Sequence, residues 1–216
     1  MLNRFLPDDD PSTDGPQHTH IRAIAKVDII DEYNDVPFTQ QEVNRIVRRM
    51  SDKKAPGEDG ISANIVRALT DIAPSLLTEM YNACFRYSCF PRCFKSSTVR
   101  AVPKNSNTSC DTIKAWRPIS LLPLLGKILE RLLADRTLYS LNERHALSDR
   151  QFGFTAGKST VTAVTTATKF IHDVRQKKAV GALVSLDISG AFDNAWWDAI
   201  LLAMITRKVP TNLVQM

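Results

Sequence analysis

The chain has 216 residues, 44% of them hydrophobic, an ordinary apolar share that allows one good core or two lobes around a cleft. Its net charge of +5 favours an anionic partner, nucleic acid first. No apolar run approaches the ~18–20 residues of a membrane span, and the amino terminus lacks a secretory hydrophobic region.

Cys84, Cys89, Cys93 and Cys110 are spaced C-x4-C-x3-C-x16-C. That is neither a paired zinc pattern nor a framework dense enough to replace a core, so the thiols read as reduced and structural. His18 and His20 form an H-x-H with no second ligand pair near them in sequence.

Residues 1–36 carry scattered prolines, the acidic Asp8, Asp9 and Asp10, and little periodicity. They read as a linker or arm of a longer protein. Structure is expected from Phe38. Thr39 and Glu42 form a T-x-x-E capping box, and Val43, Ile46, Val47 and Met50 recur at helical spacing. Arg45, Arg48 and Arg49 lie off that stripe, on a face that meets either solvent or phosphate.

In the segment SDKKAPGEDGIS, Ser51 to Ser62, Pro56, Gly57, Asp59 and Gly60 enforce turns, and Lys53 and Lys54 put charge at the mouth of the loop. Helices are predicted around Ile65 to Leu69 and from Pro74 to about Tyr87, the second with proline in its first turn.

Thr98 to Val102 and Trp116 to Leu122 are β-prone, and the polar loop between them makes a hairpin plausible. Around it Arg92, Lys95, Arg100, Lys104, Lys114 and Arg117 stand against a single acid, Asp111. Cations at corresponding ends of a hairpin can grip a triphosphate or a phosphate backbone.

Leu124 to Leu141 is amphipathic. Leu125, Ile128, Leu129, Leu132 and Leu133 are expected inward, and Lys127, Glu130, Arg131 and Arg136 outward. QFGFTAGKST, Gln151 to Thr160, precedes a Thr- and Ala-rich helix to about Lys177.

The GKST within it suggests a phosphate loop, but that loop needs G-x-x-x-x-G-K-[ST] after a strand. Here Phe152 holds the place of the first glycine, and the preceding residues are polar and turn-prone. A P-loop nucleoside triphosphatase is therefore a poor fit.

A strand is predicted from Val180 to Asp187, then a helix from about Asn194 to Thr206. The helix has an apolar face of Leu201, Leu202, Met204 and Ile205, with no visible partner in the sequence. In ALVSLDISGAF, Ala182 to Phe192, an apolar run ends abruptly in Asp187. Such a carboxylate needs a cation, a donor or a metal beside it. It either caps the next helix, with Phe192 in the core, or helps hold magnesium for phosphoryl transfer, with Phe192 beside it as a pocket wall. The order of elements, helix-rich with few strands, indicates an α+β fold.

Taken in order, APGEDGI, VRAVPK, WRPISLLPLLGKILERLL, QFGFTAGKST and LVSLDISGAFD resemble the first half of a reverse transcriptase. The type is that of non-LTR (LINE-like) retrotransposons, and LDISGAFDNAWW is similar to the elements that insert into arthropod ribosomal DNA. Retroviral enzymes differ after the W-R pair, and group II intron maturases usually lack this Leu-rich form. The resemblance covers about Phe38 to Thr206.

The resemblance implies an incomplete right-hand polymerase fold, with helical fingers, a β-hairpin and the first part of an antiparallel palm sheet. Residues 37–178 would be fingers and 179–216 the start of the palm, the remaining palm and thumb lying elsewhere. Asp187 would be a catalytic, metal-binding carboxylate, with the backbone carbonyl of Ile188 at the second Mg²⁺.

Phe192 would lie beneath the sugar of the incoming deoxynucleoside triphosphate and exclude a 2′-hydroxyl. Lys104 and Arg117 would hold the triphosphate, Gln151, Gly153, Lys53 and Lys54 would lie along the template, and Asp193 would be a structural cap. The implied partners are an RNA template, a DNA primer or target, and the rest of a polyprotein with an endonuclease; no membrane is implied. The implied setting is the nucleus at insertion, after a cytoplasmic ribonucleoprotein stage.

The G-x-P-Q-G and [FY]-x-D-D motifs of the family do not occur in these residues. The isolated chain is therefore expected not to polymerise DNA. The other reading is a non-catalytic nucleic-acid-binding relic of such an element.

Overall fold

The pattern Val43, Ile46, Val47 places three apolar side chains on one helix face, and that face starts the core. The computed structural model describes residues 9–25, 34–103, 115–188, 191 and 195–216. Its helices are α1 (Pro16–Ala25), α2 (Gln40–Arg49), α3 (Ala63–Ile72), α4 (Pro74–Arg86), α5 (Leu124–Glu143), α6 (Thr160–Gln176), α7 (Trp197–Thr206) and α8 (Thr211–Val214). The strands β1 (Thr98–Pro103) and β2 (Trp116–Leu121) form one two-stranded antiparallel sheet. This is a helical fold with a small sheet, as the α+β expectation has it.

The capping box at α2 forms as its sequence predicts. The Thr39 hydroxyl accepts the Glu42 N–H, and the Glu42 carboxylate accepts the Thr39 N–H at 2.8 Å. Val43, Ile46 and Val47 of α2 meet Leu77, Tyr81 and Phe85 of α4, with Ile128, Leu129 and Leu132 of α5, in one buried cluster. Tyr81 is fully buried, and its hydroxyl donates to the Leu125 carbonyl at 3.1 Å. Burial pushes that phenol well above its usual range. Gly126 lets α5 approach Phe94, since a Cβ there would lie 2.9 Å from the Phe94 Cβ.

The segment entering α2 is pinned by two asparagines in the same manner. Asn82 accepts the Phe38 N–H at 2.7 Å and donates to the Phe38 carbonyl at 2.9 Å. Asn212 does this for Asp35, both bonds at 2.9 Å. Each side-chain amide satisfies backbone groups that have no secondary structure to join.

Three expectations change. Arg136 does not face outward. Its side chain is 15% exposed and binds Glu42 at 2.7 Å and Asp35 at 2.8 Å, beneath the Phe38 ring at 5.7 Å. Two carboxylates on the facing segment give it a better partner than water, which helical periodicity alone cannot reveal.

Residues 16–25 form α1, which packs on α7. Arg22 pairs with Asp9 at 2.6 Å, with Asp14 and with Asp198 at 2.8 Å, while its guanidinium covers Trp196 at 5.1 Å. The apolar face of α7 thus has partners: α1 lies against the helix, and Leu201, Met204 and Ile205 pack on the core.

The predicted strand Val180 to Asp187 is not a strand. Residues 179–188 are irregular, with Leu183, Val184 and Leu186 exposed. An extended run needs a neighbouring edge for its backbone donors and acceptors, and among the described residues the only sheet is β1–β2.

Candidate functional site

The hairpin is built by its register. Arg100 sits opposite Ile119, and Arg117 opposite Val102. Directly paired residues project to the same face of an antiparallel ladder, so Arg100 and Arg117 are diagonal neighbours on one face. Both are exposed, and neither has a hydrogen-bond or ion-pair partner among the described residues. Two unpaired guanidinium forks on one sheet face suit phosphate oxygens.

The loop Ser51 to Ser62 is tied to this hairpin. The Glu58 carboxylate accepts from the Thr98 hydroxyl at 3.0 Å and from the Ser96 hydroxyl at 3.4 Å. Gly57 lies against the backbone just past β2, where a Cβ would be 2.7 Å from the Pro123 nitrogen. Lys53 and Lys54 stay exposed at the other end of the loop.

Backbone atoms cannot swing aside as a side chain can, so Gly57→Ala is expected to lift the loop or lower stability by about 1–3 kcal/mol. Chemical denaturation of the variant checks this; an unchanged midpoint would mean that the close approach carries no weight.

The QFGFTAGKST segment is a folded-back turn before α6. Gln151 donates to the Gly153 carbonyl at 3.0 Å, and both residues are exposed. Lys158 donates to the Asp149 carbonyl and covers the Phe152 ring at 5.4 Å. Ser159 caps α6, its hydroxyl accepting the Thr162 N–H at 3.2 Å. Lys158 is therefore occupied by its own loop, not extended over an open phosphate cradle.

Asp187 and Ile188 stand exposed in the irregular stretch after α6, not at the end of a buried strand. No hydrogen bond or ion pair joins Asp187 to Arg117 or to any other described residue. Among the described residues no three His, Cys, Asp or Glu side chains cluster closely enough to hold a metal ion. Lys104, Phe192 and Asp193 lie outside the described residues. The structure therefore ties the basic loop to the hairpin, and leaves Asp187 exposed without an ion pair to either among the described residues.

Sequence reasoning missed Glu58 as the tie between loop and hairpin. A lone acid in a turn-rich loop carries no signal of a partner forty residues away. It also left the arginines of α2 undecided. Their spacing, Arg45 and Arg49 at i and i+4, was the available sign that they share a face.

Compared with known protein families, residues 102–216 match Reverse transcriptase (RNA-dependent DNA polymerase). The chain is similar to the RNA-directed DNA polymerase from mobile element jockey of Drosophila melanogaster, 34% identical over 183 residues, which are 80% of the chain and 20% of that protein. It is similar to the Retrovirus-related Pol polyprotein from type-1 retrotransposable element R1 of Bradysia coprophila, 32% identical over 204 residues, 94% of the chain and 19% of that protein. A third relative is the probable RNA-directed DNA polymerase from transposon BS of Drosophila melanogaster, 34% identical over 165 residues, 76% of the chain and 18% of that protein. The chain thus spans about a fifth of the length of these relatives.

Proposed function

The chain belongs to the reverse transcriptase (RNA-dependent DNA polymerase) family, and from that premise we propose that it supplies the fingers and the opening of the palm of a non-LTR retrotransposon polymerase. Residues 37–178 are the fingers in this reading and residues 179–216 the start of the palm. The activity is template-directed nucleotidyl transfer, with RNA as template and a DNA target end as primer. Insertion occurs in the nucleus, after assembly of a ribonucleoprotein in the cytoplasm.

The observation that carries the reading is the hairpin. Its face presents Arg100 and Arg117, neither of them ion-paired among the described residues, next to a loop bearing Lys53 and Lys54. Arg117, with Lys104, holds the triphosphate of the incoming nucleotide. Lys53, Lys54, Gln151 and Gly153 follow the template, and contacts from the two lysines to phosphate make binding fall steeply with salt. Phe192 closes the space a 2′-hydroxyl would need.

The family uses divalent metal ions, and Asp187 fits the part assigned to it. It is an exposed carboxylate without a protein cation beside it among the described residues, so its oxygens are open to a hard ion. The Ile188 carbonyl would be the neighbouring oxygen, and a two-ion site needs further carboxylates beyond these. Bound Mg²⁺ supplies charge neutralisation at the attacking and leaving oxygens. The protein's share is to align the primer hydroxyl with the α-phosphate and to keep the triphosphate in place until pyrophosphate leaves.

Arg117→Ala tests the reading in a polymerase that carries this segment, by primer extension on an RNA template. A lost charge-assisted contact to phosphate should raise KM for deoxynucleotides about ten- to a hundredfold. An unchanged KM would remove the hairpin from the nucleotide site.

A further inference from the structure

Outside the core, an open groove of about 600 Å³ runs between α2, α5 and residues 147–156. That volume is within the ~300–1,000 Å³ range of ligand clefts. The groove belongs neither to the hairpin nor to the motif around Asp187.

Its charge is mostly positive and partly uncommitted. Asp135 forms an ion pair with Arg131 at 2.9 Å and lies 3.7 Å from Arg45. The two arginines share that one acid, and their side chains remain 60% and 51% exposed. Arg49, one turn beyond Arg45, has no partner among the described residues. Arg136 borders the same space, but its charge is taken up by Glu42 and Asp35.

Two aromatic rings line this basic groove. Tyr139 of α5 is 65% exposed and Phe154 is 91% exposed. Phe154 also holds a backbone φ of 56°, an uncommon conformation for a residue of its size. A free phosphate would use the guanidinium groups and leave the rings idle, and an acidic peptide would do the same. A strand of unpaired nucleotides uses both, because each phosphate comes with a planar base.

We propose that this groove binds a single-stranded nucleic-acid segment, with phosphates on Arg45, Arg49 and Arg131 and a base stacked on Tyr139. It is a second binding surface beside the hairpin, and it leans on the polymerase reading only for preferring nucleic acid to other anions.

The test is fluorescence anisotropy on the whole 216-residue chain with labelled oligonucleotides of about a dozen nucleotides. Single-stranded RNA, single-stranded DNA and duplex of the same sequence form the arms, with polyglutamate as competitor. Arg45→Gln/Arg49→Gln should weaken single-strand binding about tenfold and lower the salt slope by roughly 1.4, two phosphate contacts' worth. Tyr139→Ala should weaken it about five- to tenfold. These side chains are exposed, and thermal melting confirms that the variants stay folded. Support can come from the RNA arm, the DNA arm or both, and their ratio tells which strand is taken.

Wild-type affinity in the double arginine variant would overturn the proposal. So would full displacement by polyglutamate, which would indicate an acidic protein partner instead. If only Lys53→Gln/Lys54→Gln weakens binding, the groove fails and the polymerase reading stands. If the unaltered chain binds no oligonucleotide, both fail.

Discussion

Replacing Asp187 by Asn is expected to reduce primer extension on an RNA template about a thousandfold in a polymerase that carries this segment. Asparagine keeps the shape of the side chain and removes the charge. The variant therefore isolates the carboxylate's electrostatic part from its space-filling part. A metal ion's stabilisation of transition-state charge is worth several kcal/mol, and ~4 kcal/mol corresponds to that factor. Asp187 is exposed and has no ion-pair partner among the described residues, which makes the experiment clean, because no described side chain is left without a partner when the charge goes. Stability should accordingly be unchanged. A variant that extends primers within a factor of a few of the parent would take Asp187 out of the chemistry.

The largest stability effect is expected at Arg136. Its guanidinium joins α5 to Glu42 at the first turn of α2 and to Asp35 in the preceding segment. Arg136→Leu leaves two partly buried carboxylates facing each other without a cation. Breaking such a pair costs about 3–5 kcal/mol when fully buried, and roughly 2–4 at this exposure. For a chain of this size that lowers Tm by about 5–15 °C. A companion variant, Arg136→Leu with Glu42→Leu, should recover part of the loss, since it removes one of the two stranded charges, less what the broken Thr39–Glu42 capping box costs. A single variant that melts with the parent protein would show the cluster to be ornamental.

The same cluster sets a pH dependence. Burial pushes the Glu42 carboxyl up, but the Arg136 guanidinium with the Thr39 N–H and hydroxyl more than reverses this and holds it at about 2, against an ordinary 4.5. A carboxyl depressed by folding contributes stability that is fully present above the unfolded value and is lost as pH falls through the folded one. The contribution, about 2–3 kcal/mol at most, should therefore disappear between pH 4.5 and 2. Arg136→Leu should flatten that part of the profile.

Local signals in the sequence located most of the helices. The Thr39–Glu42 box starts α2, Pro74 starts α4, and the leucine pattern after Pro123 delimits α5 within two residues of its end. These features depend on neighbours three or four positions away, which is what a sequence displays directly. The hairpin too was legible, from two β-prone runs with a polar turn between them.

What escaped the sequence depended on distant partners. The helix α1 needs α7 and the Arg22–Asp198 pair. Arg136 needs Asp35, more than a hundred positions earlier. The run ending in Asp187 has strand composition, but composition cannot supply the second edge a strand requires. Of the expected nucleotide site, the structure supports the exposure of Arg117 and the unpaired state of Asp187 among the described residues, and it leaves Lys104 and Phe192 as sequence-based assignments.

The Arg22 cluster has a consequence for how the molecule assembles. Its contact with Asp198 closes a ring of 176 residues, and bringing ends together over that length costs roughly 4–5 kcal/mol in an unstructured chain. The cost shrinks once the intervening helices have condensed and hold α7 near its final place. The leading segment is then the last piece to arrive and the first to leave. A brief departure would bare the indole of Trp196 without disturbing the interior, so the earliest fluorescence change on gentle warming should come from this seam rather than from the centre.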